Sequence, residues 1–243
     1  MKMKGLPFYI IIIAIISSAL LFSACNSGQT ISEQSVLIDQ TEDTFLVKPD
    51  QSHHKNLFEL KDDLWSGKRF RVIAINDVDF NPVFQAEILP ACEYLSNYYK
   101  RKRELTNFYV EVDSALGKVL ENSAGKTSSS IYIPLTMELN RLFQSKADEK
   151  TLVIYSDLME HTSLISFYEK AVLKLMNTNP DSLRKILEQE GNLPDLSSIQ
   201  IHIVYQPRDA NESAVFRQVA DFYQDWFESK GAKVNIGANL IGQ

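Results

Sequence analysis

Three stretches of the chain are apolar without interruption and stop abruptly at polar clusters. They are Val36-Leu37-Ile38 before Asp39-Gln40-Thr41-Glu42-Asp43-Thr44, Val72-Ile73-Ala74-Ile75 before Asn76-Asp77-Val78-Asp79, and Leu152-Val153-Ile154-Tyr155 before Ser156-Asp157. A strand with one wet face alternates apolar and polar residues, whereas a continuous run marks a strand covered on both faces. Ile199 to Tyr205 reads as a further strand, and Lys233 to Ile236 as a short edge strand. Between them, apolar residues recur at steps of three and four, the helical period. Such stretches cover Asn56 to Trp65, a long helix started by Pro90 and ended near Glu121, and a helix through Leu135, Leu139, Leu142 and Phe143. Others run from Ser163 to Met176, Asp181 to Glu190 and Glu212 to Lys230, the last stopped by Gly231. Strands of this kind alternating with helices predict an α/β fold: a doubly wound, mostly parallel, Rossmann-like sheet with helices on both faces. Such sheets take ligands beyond the carboxyl ends of their strands, which is where the polar clusters fall.

The first residues follow another logic. Lys2 and Lys4 precede an apolar run from Gly5 to Phe22, then Ser23-Ala24-Cys25, after which the sequence turns polar. That is the order of a secretion signal. Leu21-Phe22-Ser23-Ala24-Cys25 resembles the lipobox of bacterial lipoproteins, with Phe22 where leucine is usual. The resemblance implies a signal peptide over residues 1–24, a lipidated Cys25 and a tether to residue 34, then one domain over 35–243. The expected location is the bacterial cell envelope, lipid-anchored on the extracytoplasmic side. An uncleaved signal anchor is the alternative, since the run is long enough to span ~30 Å of hydrocarbon. With Cys25 lipidated, only Cys92 keeps a thiol, so no intrachain disulfide is expected, and Cys92 reads as a small buried hydrophobe.

Loss of Lys2 and Lys4 lowers 25 Lys+Arg to 23 against 31 Asp+Glu, a net charge of −8. Nucleic acid is thereby excluded as a partner, because its phosphates require a basic footprint. Lys100-Arg101-Lys102-Arg103, in a helical pattern running into Glu104, reads as a solvated face.

Three loops carry candidate chemistry. Asp39-Gln40-Thr41-Glu42-Asp43 follows the first strand, Ser129-Ser130-Ile131-Tyr132 precedes a helix, and Ser156-Asp157 closes a later strand. Together they resemble the metal loops of von Willebrand factor A domains, the fold of integrin inserted domains and of many bacterial adhesion and scaffold proteins. The first matches that family's Asp-x-Ser-x-Ser loop, the second its hydroxyl before an Ile-Tyr helix start, the third its Ser-Asp aspartate. The resemblance implies Asp39, Thr41, Ser129 and Asp157 as direct or water-mediated ligands of Mg2+ or Ca2+, both of which favour oxygen donors. Asp43 departs from the pattern, standing where the family has a hydroxyl, and is a possible further ligand; Asp77 and Asp79 border the site. Ordinary capping and turn chemistry is the alternative use of these loops. The function so implied is a membrane-tethered binding or scaffold module whose partner is another envelope protein.

An envelope phosphatase or hydrolase using Asp39 is the second reading, although a phosphatase of the haloacid-dehalogenase type would need an acid at position 41, where Thr41 stands. Gly125-Lys126-Thr127 lacks the glycine of a phosphate-binding loop five residues earlier, where Leu120 stands, so no nucleotide is expected. His53-His54 reads as a surface loop, His161 as solvent-facing or orienting Asp157, and His202 as a packed polar residue. No Ser-His-Asp order, Gly-x-Ser-x-Gly elbow or His-Glu-x-x-His motif is present.

Overall fold

The computed structural model describes residues 30–40, 49–59, 63–75, 81–121 and 130–240. In chain order the elements are β1 (Ile31–Asp39), α1 (Gln51–Glu59), β2 (Gly67–Ile75), β3 (Val83–Ile88), α2 (Tyr98–Glu121) and α3 (Tyr132–Gln144). They continue with β4 (Glu149–Tyr155), α4 (Lys170–Thr178), α5 (Pro180–Leu187), β5 (Ile199–Val204), α6 (Ala210–Ser229) and β6 (Lys233–Gly237). The strands form one sheet in the order β3-β2-β1-β4-β5-β6. Every neighbouring pair is parallel except β2 with β3.

The continuous apolar runs explain the layering. Leu37, Ile73, Leu152, Ile154, Ile201 and Ile203 pack on one face with α3, α4, α5 and α6. Val36, Ile38, Val72, Ala74, Val153 and Val204 occupy the other, with α1 and α2. The expected α/β class, mostly parallel and flanked by helices, is thus the observed one.

Several boundaries differ, each for a physical reason. β1 begins at Ile31, inside the stretch read as tether, because Glu33 and Ser35 are buried by polar partners instead of water. Glu33 accepts hydrogen bonds from Arg141 and Ser145, and Ser35 donates to Glu138 at 2.6 Å. Burial opposes the Glu33 charge, but the bonds from Ser145 and Arg141 still hold its carboxyl below the ordinary range. Ile31 N–H is in turn held by Asp148 at 2.8 Å. β3 escaped the sequence reading because it is a short edge strand, with Ala86 and Ile88 inward and Val83, Gln85 and Glu87 exposed.

Pro90 does not start the long helix. Its ring lies over Gly67, where an added Cβ would come within 2.8 Å of Pro90 Cδ and 3.2 Å of Ile31 Cγ1. The helix begins eight residues later, after Asn97, whose side chain accepts from Lys100 N–H at 3.0 Å in the manner of an N-cap. Arg101 is not on a solvated face: it is 3% exposed, and its guanidinium donates to the carbonyls of Leu64, Leu89 and Ser66 at 2.9, 2.9 and 2.6 Å. Cys92 is half-buried in the loop after β3 and disulfide-bonded. The one other cysteine in the sequence, Cys25, lies outside the described residues. The pair at 53 and 54 is helical, not loop, because α1 opens at Gln51, and His54 is fully buried against Phe70 and Tyr155. Burial there pushes its imidazole down to about 3.

Among the described residues, no helix is long and apolar enough to cross a membrane.

Candidate functional site

The strand order itself locates the site. From β1 the chain crosses by α1 to β2 on one side, and from β4 it crosses by α4 and α5 to β5 on the other. The two crossovers lie on opposite faces of the sheet. The carboxyl ends of β1 and β4 therefore flank the crevice where the winding reverses, the position at which open α/β sheets take ligands.

Asp39 is the last residue of β1, and Ser156-Asp157 directly follows β4. Parallel pairing of Ile38 with Tyr155 sets the two segments side by side. Asp39 is 1% exposed, and its Oδ2 accepts from the Ser156 hydroxyl at 2.9 Å. Ser156 Oγ also accepts from Leu158 N–H at 2.8 Å, and Asp157 Oδ1 from Met159 N–H at 2.9 Å. This double turn forces Leu158 to a φ of 62°, a left-handed conformation that costs an L-residue roughly 1–2 kcal/mol. Its side chain is fully buried, which holds the turn in place.

A third carboxylate completes the edge. Glu160 is buried, and its Oε2 accepts from the N–H groups of Ile131 and Tyr132 at 2.9 and 2.8 Å, where α3 begins. These are N–H groups that the helix cannot satisfy itself. Burial nevertheless pushes the Glu160 carboxyl up to about 7, with the charges of Asp39 and Glu190 adding to the push against those two N–H bonds. Ser130, one residue before, is buried with its hydroxyl unpartnered. Tyr132 donates to Gly191 O at 2.7 Å and stacks on Trp226 at 5.4 Å between ring centroids, fixing the start of α3.

Of the expected ligands, Asp39 and Asp157 stand at one edge. Thr41, Asp43 and Ser129 lie outside the described residues, as do Asp77, Asp79 and Cys25. Among the described residues, no three His, Cys, Asp or Glu side chains are gathered as an ion would require. His161 is exposed and bonds to Ser166 at 3.0 Å, so its ring nitrogen is engaged within its own loop. His202 is a buried polar residue, its imidazole pushed down by desolvation. Sequence reasoning missed Glu160, Ser130 and the bond from Ser156 to Asp39. Ser130 is one of three successive serines, and only the start of α3 singles it out.

No protein-family model matches the chain, and no curated protein matches it in sequence. Among solved structures it is similar to the crystal structure of the conserved hypothetical protein BatB from Bacteroides thetaiotaomicron, with 9% identity and a TM-score of 0.38. The match covers 86% of this chain and 91% of that one. A likeness this distant carries no argument about activity.

Proposed function

We propose that this chain is an extracytoplasmic binding module, von Willebrand factor A-like in organisation, that engages another envelope protein through the carboxyl edge of its sheet. The observation that carries the reading is the meeting of Asp39 with Ser156-Asp157 at the reversal point between β1 and β4. The donors there are all oxygens, and the unpartnered, buried Ser130 hydroxyl adds one at the same edge. That set suits a hard cation, Mg2+ or Ca2+, over zinc. Asp39, Asp157 and Ser130 would hold it, with Thr41 and Ser129 as the expected additions. Such an ion supplies an open coordination position for a partner's carboxylate. A nucleophilic role for Asp39 is disfavoured, because a carboxylate this buried and hydrogen-bonded is shielded from substrate.

Isothermal calorimetry of the full chain with Mg2+ and with Ca2+ tests the cation. Binding heat and a raised Tm are expected, with affinity falling roughly tenfold or more in Asp39→Asn, which removes a ligand charge. The amide oxygen introduced by that substitution can still accept from Ser156, so the variant stays folded. Absence of heat and of any Tm change in the wild type, or identical titrations for both proteins, rejects the cation and leaves the fold untouched.

Anchoring is proposed at Cys25, through the lipobox-like Leu21 to Cys25. A lipid thioether on Cys25 and a disulfide from Cys92 to the same sulfur exclude one another, so the lipid anchor belongs to a chain with Cys92 reduced, and a chain with Cys92 disulfide-bonded, as in this structure, is held by the uncleaved apolar segment instead. Mass spectrometry of the non-reduced protein is expected to return a diacylated peptide beginning at Cys25. A peptide linking Cys25 to Cys92 would replace the lipid anchor by the uncleaved apolar segment.

A further inference from the structure

Five of the eleven large hydrophobic side chains exposed among the described residues fall within eleven positions of one another: Leu89, Tyr94, Leu95, Tyr98 and Tyr99. Isolated exposed hydrophobics need no explanation, but a contiguous set does. Tyr94 is 86% exposed, Tyr99 82% and Leu95 77%. Lys100, Lys102 and Arg103 follow at once and are also exposed, with Lys102 Nζ 5.7 Å from the Tyr98 ring centre. Among the described residues the acids nearby include Glu93, which is exposed, Glu104, which is paired with Lys100 and Arg101, Glu87, which is paired with Arg69, and Asp63, whose charge acts on Arg101.

This surface is fixed, not frayed. Arg101 ties Leu89 O to Leu64 O and Ser66 O beneath it, Ala91 N–H donates to Trp65 O at 2.9 Å, and Pro90 rests on Gly67. Its place in the molecule is equally defined. The end of β3 pairs with the start of β2, Ile88 with Lys68, and the start of β2 pairs with the start of β1, Gly67 with Ile31. Hence the aromatic set sits at the amino end of the parallel strands, beside the point where the chain from residues 1–29 enters the sheet. Only five residues separate Cys25 from Ile31, a reach of at most ~20 Å.

We propose that the loop from Leu89 to Asn97 and the first turn of α2 form a platform that docks on an anionic bilayer surface. The inference rests on the reading that residues 1–25 hold the chain at a membrane, by lipid or by the apolar segment itself. A short leash brings this end to the bilayer, and the side chains it brings are those that favour the water–hydrocarbon boundary. Tyrosines offer an apolar ring with a polar tip. Each exposed basic residue is drawn toward anionic headgroups. β1 spans nine residues, so the Asp39 edge is carried ~30 Å above the surface, facing a partner.

The test uses the full chain reconstituted into phosphatidylcholine vesicles with and without phosphatidylglycerol, containing brominated acyl chains that quench nearby tryptophan. Tyr99→Trp is expected to lose at least half of its added emission in the anionic vesicles and less in the neutral ones. Val110→Trp, exposed eleven residues along α2 and ~16 Å away along its axis, should be unaffected. A chain that floats with the vesicles while the indole introduced by Tyr99→Trp stays unquenched overturns the platform, leaves the anchor intact and releases the face for a protein partner. Equal quenching at 99 and 110 overturns it too, since the domain would then lie on its side. A chain that does not float at all overturns the anchor reading, and the platform with it.

Discussion

Glu138→Ala is expected to lower the unfolding free energy by about 3 kcal/mol, near the low end for removing one partner of a buried ion pair. Glu138 is buried on α3 and accepts from Ser35 at 2.6 Å, Arg141 at 2.7 Å and Arg71 at 3.2 Å. Truncation deprives two guanidinium groups and a hydroxyl of their shared acceptor. Arg141 keeps Glu33, and both arginines retain some contact with water, which is why the loss stays at the low end. Urea denaturation measures it. A change below about 1 kcal/mol would mean that solvent already does the work of the carboxylate. The double replacement of Glu138 and Arg71 by apolar residues should cost less than the single truncation, since Arg141 keeps Glu33 and Arg71 is no longer stranded.

The second large effect is a pH dependence seated at Glu160. Its folded carboxyl is raised from 4.5 to about 7, so between those values the native state holds a proton that the unfolded chain has released. Stability from this group is therefore fully present below pH 4.5, declines as pH rises and is gone above about pH 7. At about 1.4 kcal/mol per pH unit the total is on the order of 3 kcal/mol. Glu160→Gln keeps an acceptor for the Ile131 and Tyr132 N–H groups and removes the titration. The difference in unfolding free energy between wild type and variant should shift by that amount between pH 4 and pH 8, in favour of the variant at high pH. Parallel profiles for the two proteins would show that the helix N–H groups compensate the charge in full.

How much of this was legible in the sequence follows from what each residue contacts. Val36 to Ile38 and Leu152 to Tyr155 announced central strands because apolar burial on both faces leaves an unbroken run. The same rule failed at Glu33 and Gln34, which look like tether yet are buried, as is Ser35 where the domain was expected to begin. The partners of Glu33 and Ser35, namely Glu138, Arg141 and Ser145, lie more than a hundred positions away. β3 alternates too briefly to stand out, and Arg101 hides in a run of four basic residues. Asp39 and Asp157 were visible as acids closing strands. That Ser156 would be the one to reach Asp39, and Glu160 the one to cap α3, depends on strand order and a positive φ at Leu158, which no local pattern encodes.

α3 runs opposite to the strands it covers, and acidic side chains grip it at each tip. Glu160 takes its first N–H groups at the crevice, while Glu33 takes Arg141 and Ser145 at the base of the sheet. A rod of thirteen residues fastened in this way cannot slide lengthwise without releasing one fastening. A tug at the crevice is thus carried ~20 Å to the foot of the molecule with no joint between.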